Sequence, residues 1–305
     1  MASRAGPILP SQSKTTEAPI TNLDRKTILI TGATDGVGRL VARRLGQSGA
    51  EIIVHGRDAS RGAEVVSAIN AGGGKAVFLA ADLSSLAEVR GLAQSVSQRT
   101  ERLDLLINNA GIGTGGPGAP RRTNAAGHEL CFAVNYLSGF LLTSLLLPLL
   151  KAAAPSRIVN VSSAGQQALD FDDLMLTRGY SGGRAYMQSK LARILFTFDL
   201  AQALNGTGVT VNCLHPASYM ATTMVREAGV SPWSTVEQGA EAILNLAMSS
   251  ALEGRSGLYF DGLNEARANA QAYDAAAREK LRAISLQLAG LSSPVDQSHS
   301  GAFQS

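Results

Sequence analysis

Cysteine is nearly absent from this chain. Its two thiols, Cys131 and Cys213, lie far apart and form neither a Cys-x-x-Cys nor a Cys/His ligand spacing. That excludes a disulfide framework and a structural metal, and it fits a reducing compartment. Blocks of a single charge are missing too. The 27 basic and 24 acidic residues are interspersed for a net charge of +3, so there is no basic stripe for nucleic acid. Residues 1–26 are rich in Ser, Thr and Pro and lack the apolar core of a signal peptide. The longest greasy run, Phe140–Leu150, is broken by Thr143, Ser144 and Pro148. It is too short to cross a bilayer and reads as a buried helix. A soluble, cytoplasmic protein without a membrane span is expected.

What is present is enough for one large core. With 305 residues, 45% hydrophobic and 17% charged, the chain is globular and long enough for a single α/β domain. Residues 1–24 and 291–305 read as flexible tails around a domain spanning 25–290. Short β-branched runs occur at Thr27–Thr31, Glu51–His55, Lys75–Leu79, Leu103–Ile107, Arg157–Val161, Val209–Cys213 and Leu258–Phe260. Amphipathic stretches separate them at Val37–Ser48, Ala59–Ala71, Leu86–Arg99, Gly127–Leu150, Gly183–Leu204 and Val236–Ser249. Such alternation requires right-handed crossovers. It predicts a doubly wound, seven-stranded parallel sheet with helices on both faces, and ligands gather beyond the carboxyl ends of such strands.

The residues after each strand carry the candidates. The first strand runs into Thr31-Gly32-Ala33-Thr34-Asp35-Gly36-Val37-Gly38 and then a helix. Glycines at 32, 36 and 38 permit a tight turn and close approach of backbone to phosphates at a helix N-terminus. The turn, with Thr34, Asp35 and Val37, is a candidate dinucleotide site in a single-domain Rossmann fold. Its Gly-x3-Gly-x-Gly spacing differs from the commoner Gly-x-Gly-x-x-Gly. The second strand ends Val54-His55-Gly56-Arg57. Gly56 stands where an NAD-selective site carries an acid for the adenine ribose, and Arg57 follows, which favours NADP(H) over NAD(H) with Arg57 on the 2′-phosphate. Asp82, followed by Leu83, either accepts from the adenine amino group or caps the helix at Leu86–Arg99. After the fourth strand, Asn108-Asn109-Ala110-Gly111 ties neighbouring strands and leaves room for a flat cofactor; for Asn109 the structural reading is the stronger.

Tyr186 and Lys190 lie four residues apart, on one face of a helix. Alone, that spacing describes a half-buried ring and a solvated amine. A phenol titrates at about 10, and a nearby cation lowers that value and suits the pair to proton transfer.

Taken together, Thr31–Gly38, Asn108–Gly111, Asn135, the Ser162-Ser163 pair and Tyr186-x3-Lys190 resemble the short-chain dehydrogenases/reductases over about residues 25–290. Gly127-His128-Glu129, Val134-Asn135-Tyr136-Leu137, Arg157–Ser163, His215-Pro216 and Gly257-Leu258-Tyr259-Phe260 are similar to the branch that contains retinol dehydrogenases and WW-domain oxidoreductases. The resemblance implies hydride transfer between a nicotinamide and a carbonyl or alcohol carbon, with Tyr186 as general acid or base. Lys190 would lower the Tyr186 pKa and hold the nicotinamide ribose, Ser163 rather than Ser162 would bind the substrate oxygen, and Asn135, in a helix irregularity, would order a water leading to Lys190. Pro216 and Ser218 would border the nicotinamide. Ala217 replaces the family's usual glycine, and Thr222 falls one residue late for the carboxamide contact, leaving Tyr219 or Met220 to shape the pocket.

Apolar residues at Ala164–Arg184 and Ala217–Trp233 point to a hydrophobic ketone, aldehyde or secondary alcohol. The family pairs into dimers or tetramers through the helices at Gly127–Leu150 and around Tyr186, where Leu145, Leu146, Phe196 and Phe198 fit either an interface or the core. Two other readings are weighed against the reductase: a non-catalytic NADP-binding redox sensor, which would be expected to lack the Tyr/Lys/Ser set, and an isomerase or dehydratase, which would need a larger substrate domain.

Overall fold

The computed structural model describes residues 23–116 and 118–292; the tails assigned to 1–24 and 291–305 fall almost wholly outside them. The first half runs β1 (Thr27–Ile30), α1 (Gly36–Gln47), β2 (Glu51–Gly56), α2 (Ala59–Ala71), β3 (Lys75–Ala80), α3 (Leu86–Arg99) and β4 (Leu105–Asn108). A helix then begins as α4 (Leu130–Phe132), passes through a π-helical turn at Ala133–Leu137 and continues as α5 (Ser138–Ala152). The second half runs β5 (Ser156–Val161), α6 (Gly182–Ala203), β6 (Val209–His215), α7 (Thr223–Glu227) and α8 (Val236–Met248). It closes with β7 (Tyr259–Asp261), β8 (Asn264–Ala266) and α9 (Ala275–Ala289).

The sheet order is β3-β2-β1-β4-β5-β6-β7-β8. The strand order reverses between β1 and β4, which opens the crevice where a doubly wound sheet takes its ligand. Seven strands are parallel, as expected, but the sheet has eight. β8 pairs antiparallel with β7 through Asp261↔Asn264 and Tyr259↔Ala266. Its three residues, Asn-Glu-Ala, carry no apolar alternation, because an edge strand this short buries almost nothing.

Two apolar layers sandwich the sheet. Leu92 of α3, Leu141 of α5, Leu195 of α6 and Leu281 of α9 lie in one, and Val41 and Leu45 of α1 and Ile243 and Leu246 of α8 lie in the other. Each fully buried Leu or Ile contributes about 1.5–3 kcal/mol relative to exposure. The helix Leu130–Ala152 is long and apolar enough to cross a membrane, yet most of it is buried inside the domain. Its first residues also differ from the expected Gly127 start: Gly127 turns with φ +83°, and the Glu129 carboxylate caps the helix by accepting from Phe132 N at 2.8 Å. α9 had no expected counterpart. Asp274 caps it and the left-handed Gly290 ends it, and it covers α6, with Tyr136 Oη and Ser285 Oγ 2.7 Å apart beneath it. Phe196 and Phe198 are therefore buried in the chain's own core, and Phe198 packs on Tyr273.

A polar ladder crosses this interior. Asn108 and Asn160 stand in register on β4 and β5. Asn108 Nδ2 donates to Thr143 Oγ1 and to Asn160 Oδ1, and Asn160 Nδ2 donates to Thr197 Oγ1, each at 2.9 Å. The ladder fastens α5 and α6 to the middle of the sheet. Replacing Asn160 by Ala strands buried groups on both sides and is expected to cost about 1–3 kcal/mol in denaturant unfolding; a loss below about 0.5 kcal/mol would show that the ladder is dispensable.

Candidate active site

The first turn is built for close approach. Gly32 adopts φ +65°, and a Cβ at Gly38 would lie 2.3 Å from Gly32 O and 2.4 Å from Asn109 Nδ2. Asn109 Nδ2 donates to Thr31 O and Gly32 O, each at 3.0 Å, so it ties β1 to β4 as the structural reading required. Asp35 caps α1, accepting from Gly36 N at 2.7 Å and from Thr223 Oγ1 at 2.7 Å. Although burial opposes ionisation, these bonds and Arg61 hold its carboxyl below the ordinary value. Thr222 caps α7, and its methyl would lie 3.1 Å from a Cβ at Gly36. α7 therefore packs against the glycine turn, with Thr222 beside Gly36.

At the end of β2, a Cβ at Gly56 would meet Thr34 Cγ2 at 2.5 Å, so an acid there requires the Thr34 side chain to move. Arg57 is exposed beside it and forms no ion pair among the described residues. Arg61 and Arg39, which the sequence reading passed over, lie at the same edge; Arg61 pairs with Asp35 and Asp58, and Arg39 with Glu64. Asp82 does not cap α3. Ser85 does, accepting from Glu88 N, while Asp82 Oδ1 accepts from Ser84 N at 2.9 Å in a turn. The capping alternative is thereby removed, because the helix begins three residues later than an Asp82 cap requires. Leu83 is buried in the core beside it.

The chemical end gathers on α6. The Ser163 side chain faces the Tyr186 phenol and favours its phenolate, and Lys190 Nζ lies 5.5 Å from the Tyr186 ring centroid. Strand alternation separates the two serines, for Ser162 Oγ donates instead to Lys190 O at 2.8 Å. Lys190 Nζ donates to Val161 O at 3.3 Å, and a Cβ at Gly111 would lie 3.4 Å from it. Burial, with the neighbouring Arg193, pulls the Lys190 pKa down to about 7. Tyr186 moves the other way: burial raises its phenol above the ordinary value, outweighing Ser163 and Arg193, which favour the phenolate. The lowering expected from Lys190 is thus not the net result in the protein alone.

Asn135 sits in the π-helical turn. Its side chain accepts from Ile112 N at 2.7 Å and donates to Ile112 O at 3.1 Å and Ser189 Oγ at 3.0 Å. All of its polar side-chain atoms therefore have protein partners. Pro216 is buried, and Ser218 Oγ lies 3.1 Å from His215 Nε2. Tyr219, at φ +45°, stacks edge-on against Trp233 with centroids 4.6 Å apart. Among the described residues no His, Cys, Asp or Glu cluster could hold a metal.

A family model described as short chain dehydrogenase matches residues 26–231. The chain belongs to the short chain dehydrogenase family. It is 39% identical to human retinol dehydrogenase 13 over 296 residues, 88% of this chain and 86% of that protein. Human retinol dehydrogenase 14 is also 39% identical, with 87% of each chain covered. Among solved structures, an uncharacterized protein from Mycobacterium paratuberculosis superposes with TM-score 0.74 at 28% identity, covering 90% of this chain and 97% of that one. The Pseudomonas aeruginosa RhlG/NADP active-site complex gives 0.66 at 28% identity, covering 80% and 97%. The protein is accordingly an oxidoreductase that works with a nicotinamide cofactor.

Two residues of this short chain dehydrogenase escaped the sequence reading. Arg193, on the same helical face as Tyr186 and Lys190, was signalled by its place in the otherwise apolar run Leu191–Phe196. The other is His55, 2% exposed. Its Nδ1 accepts from Gly32 N and its Nε2 faces Ala81 O, each at 3.2 Å, so the ring is the neutral Nε2–H tautomer that braces the glycine turn against the end of β3. Burial lowers its pKa from 6.5 to about 4. Because the folded state disfavours the charged ring, this contribution to stability is whole above pH 6.5 and is lost as pH falls toward 4. Between those limits the unfolding free energy should drop by on the order of 3 kcal/mol more in the unaltered protein than in His55→Asn. Parallel pH profiles for the two proteins would refute the bracing role.

Proposed function

We propose that this enzyme transfers hydride between NADP(H) and an apolar ketone, aldehyde or secondary alcohol, with Tyr186 as general acid in reduction and general base in oxidation. The observation that carries the reading is the convergence of Ser163 and a buried Lys190 on the Tyr186 side chain. When bound, the nicotinamide supplies or accepts the hydride. Ser163 orients the substrate oxygen and stabilises charge developing on it, Tyr186 exchanges the proton, and Lys190 holds the ribose hydroxyls and replenishes the proton. Asn135 anchors Ile112 and Ser189 beside them, which supports a role in keeping the proton path in register. Asn109, Ala110 and Gly111 leave the flat space beyond β4, and the backbone at Pro216 and Ser218 borders it.

Preference for NADP(H) rests on Arg57 and on the Thr34–Gly56 contact that displaces the acid an NAD site would need. Asp82 lies where the adenine would end. Apolar side chains at Tyr219, Met220, Met224 and Trp233 support a hydrophobic substrate. Proteins named as retinol dehydrogenases among the relatives make retinoids the first compounds to assay. A cytoplasmic location has its support in the enclosure of the long apolar helix by the domain. Association into a homodimer or homotetramer has support only in half-buried Leu145, Leu147 and Leu149 on α5.

Replacing Tyr186 by Phe should lower kcat by about 10²–10⁴-fold with NADPH affinity nearly unchanged; full turnover would sink the mechanism. Tight NADPH binding without turnover of any ketone, aldehyde or alcohol by the unaltered protein would favour a redox-sensing role instead. Arg57→Ala should raise the KM for NADPH about tenfold or more while leaving that for NADH within about twofold. Equal losses would refute the assignment of the 2′-phosphate.

A further inference from the structure

Arg193 is a buried cation without an acid. It is 3% exposed, and its guanidinium spends its donors on main-chain carbonyls: Nε on Asn135 O at 2.7 Å, one terminal nitrogen on Asn108 O and Val161 O, and the other on Ala110 O at 3.4 Å. The three buried carboxylates of the described residues are engaged elsewhere. Asp104 pairs with Lys26 and Arg102, Glu129 caps α4, and Asp173 receives Thr177 and faces Arg178. A charge taken out of water normally needs a partner of opposite sign. Here the partners are four carbonyl dipoles at the ends of β4 and β5 and in the π-helical turn.

The groups that face this cation define what it acts on. Tyr186 and Lys190 share its helical face. Cys213 of β6 faces it as well, while Cys131 of α4, His215 of β6 and Tyr219 of the loop after β6 face Tyr186 or Lys190. Both thiols are held neutral, with burial pushing each up to about 12, and burial also favours the neutral form of His215. Two carboxylates border the cluster, Asp261 beside His215 and Glu129 beside Cys131, and neither is among the groups that act on Arg193. Its field therefore favours an anion on Tyr186 and opposes a second cation on Lys190.

We propose that Arg193 is the positioning residue of the Tyr186–Lys190 pair: a permanent charge, clamped to the carboxyl ends of β4 and β5, that sets how readily the pair exchanges protons. The proposal rests on the reading of Tyr186 as the acid–base group. It also explains why Asn135 is bonded on all sides. Its side chain holds Ile112 and Ser189, and its carbonyl holds the guanidinium.

Arg193→Gln removes the charge and keeps hydrogen-bonding capacity. In alcohol oxidation the acid limb of kcat/KM is expected to move up by about one pH unit, with turnover at pH 7 reduced about tenfold and KM for NADP⁺ within about twofold. Arg193→Lys should shift the limb less. A loss that is equal at every pH marks a purely structural role and overturns the proposal. Should the variants not fold, the unaltered protein still exposes the proposal to refutation: the Lys190 amine, followed by ¹⁵N NMR of lysine-labelled protein and assigned by its loss in Lys190→Arg, is expected to titrate near neutrality, as burial beside a charged Arg193 requires. Titration above about 9.5, close to an ordinary lysine, overturns the proposal. Turnover by Tyr186→Phe would defeat the acid–base reading itself and leave the Lys190 titration as it is, so the two failures are distinguishable.

Discussion

Buried main-chain groups at the carboxyl ends of β1, β4 and β5 must find partners away from water, and the crevice of this enzyme is the answer to that demand. Strands that diverge can no longer bond each other. Side chains take over: Asn109 donates to the carbonyls of Thr31 and Gly32, His55 accepts from Gly32 N, Asn135 accepts from the N–H and donates to the carbonyl of Ile112, and Arg193 donates to the carbonyls of Asn108, Ala110, Asn135 and Val161. An unpaired buried group costs about 1–3 kcal/mol, so this set is as necessary to the fold as the apolar layers on either side. It also braces the start of the turn from Gly32 to Gly38.

The same demand connects fold to chemistry. α6 brings Tyr186, Lys190 and Arg193 to one face, and the sheet ends supply the carbonyls that hold the last two. Burial then weakens both cations' hold on a proton, to about 7 at Lys190 and about 10 at Arg193, but Arg193 remains charged at neutrality. Titratable groups whose proton affinities are pushed apart by their surroundings are what acid–base chemistry near neutrality requires.

Much of the architecture was legible from periodicity. The boundaries of α2 and α3 coincide with their amphipathic stretches, and the strands fall on the β-branched runs, because those elements bury a regular face. What escaped had no such face or had a competing signal. β8 is a polar edge, α7 is a five-residue helix built on a threonine cap, and α9 follows the apolar pattern only where it covers α6. The start of the long helix was misplaced because Gly127 and Glu129 continue its register while serving as turn and cap. Asp82 could equally have capped α3 on spacing alone; the actual cap, Ser85, is set by where the chain leaves β3.

By itself the sequence determined the alternation of strand and helix, the glycine turn, the glycine in place of an acid at the end of β2, and the spacing of Tyr186 and Lys190. These depend on local order along the chain, and neighbouring residues carry that information. Only the tertiary structure decided that Ser162 turns back to the Lys190 carbonyl, that Thr222 lies over Gly36, and that Arg193 is buried beside the pair. Each of these depends on depth and on groups many residues away. Burial sets the strength of a charge, and burial is a property of the folded chain.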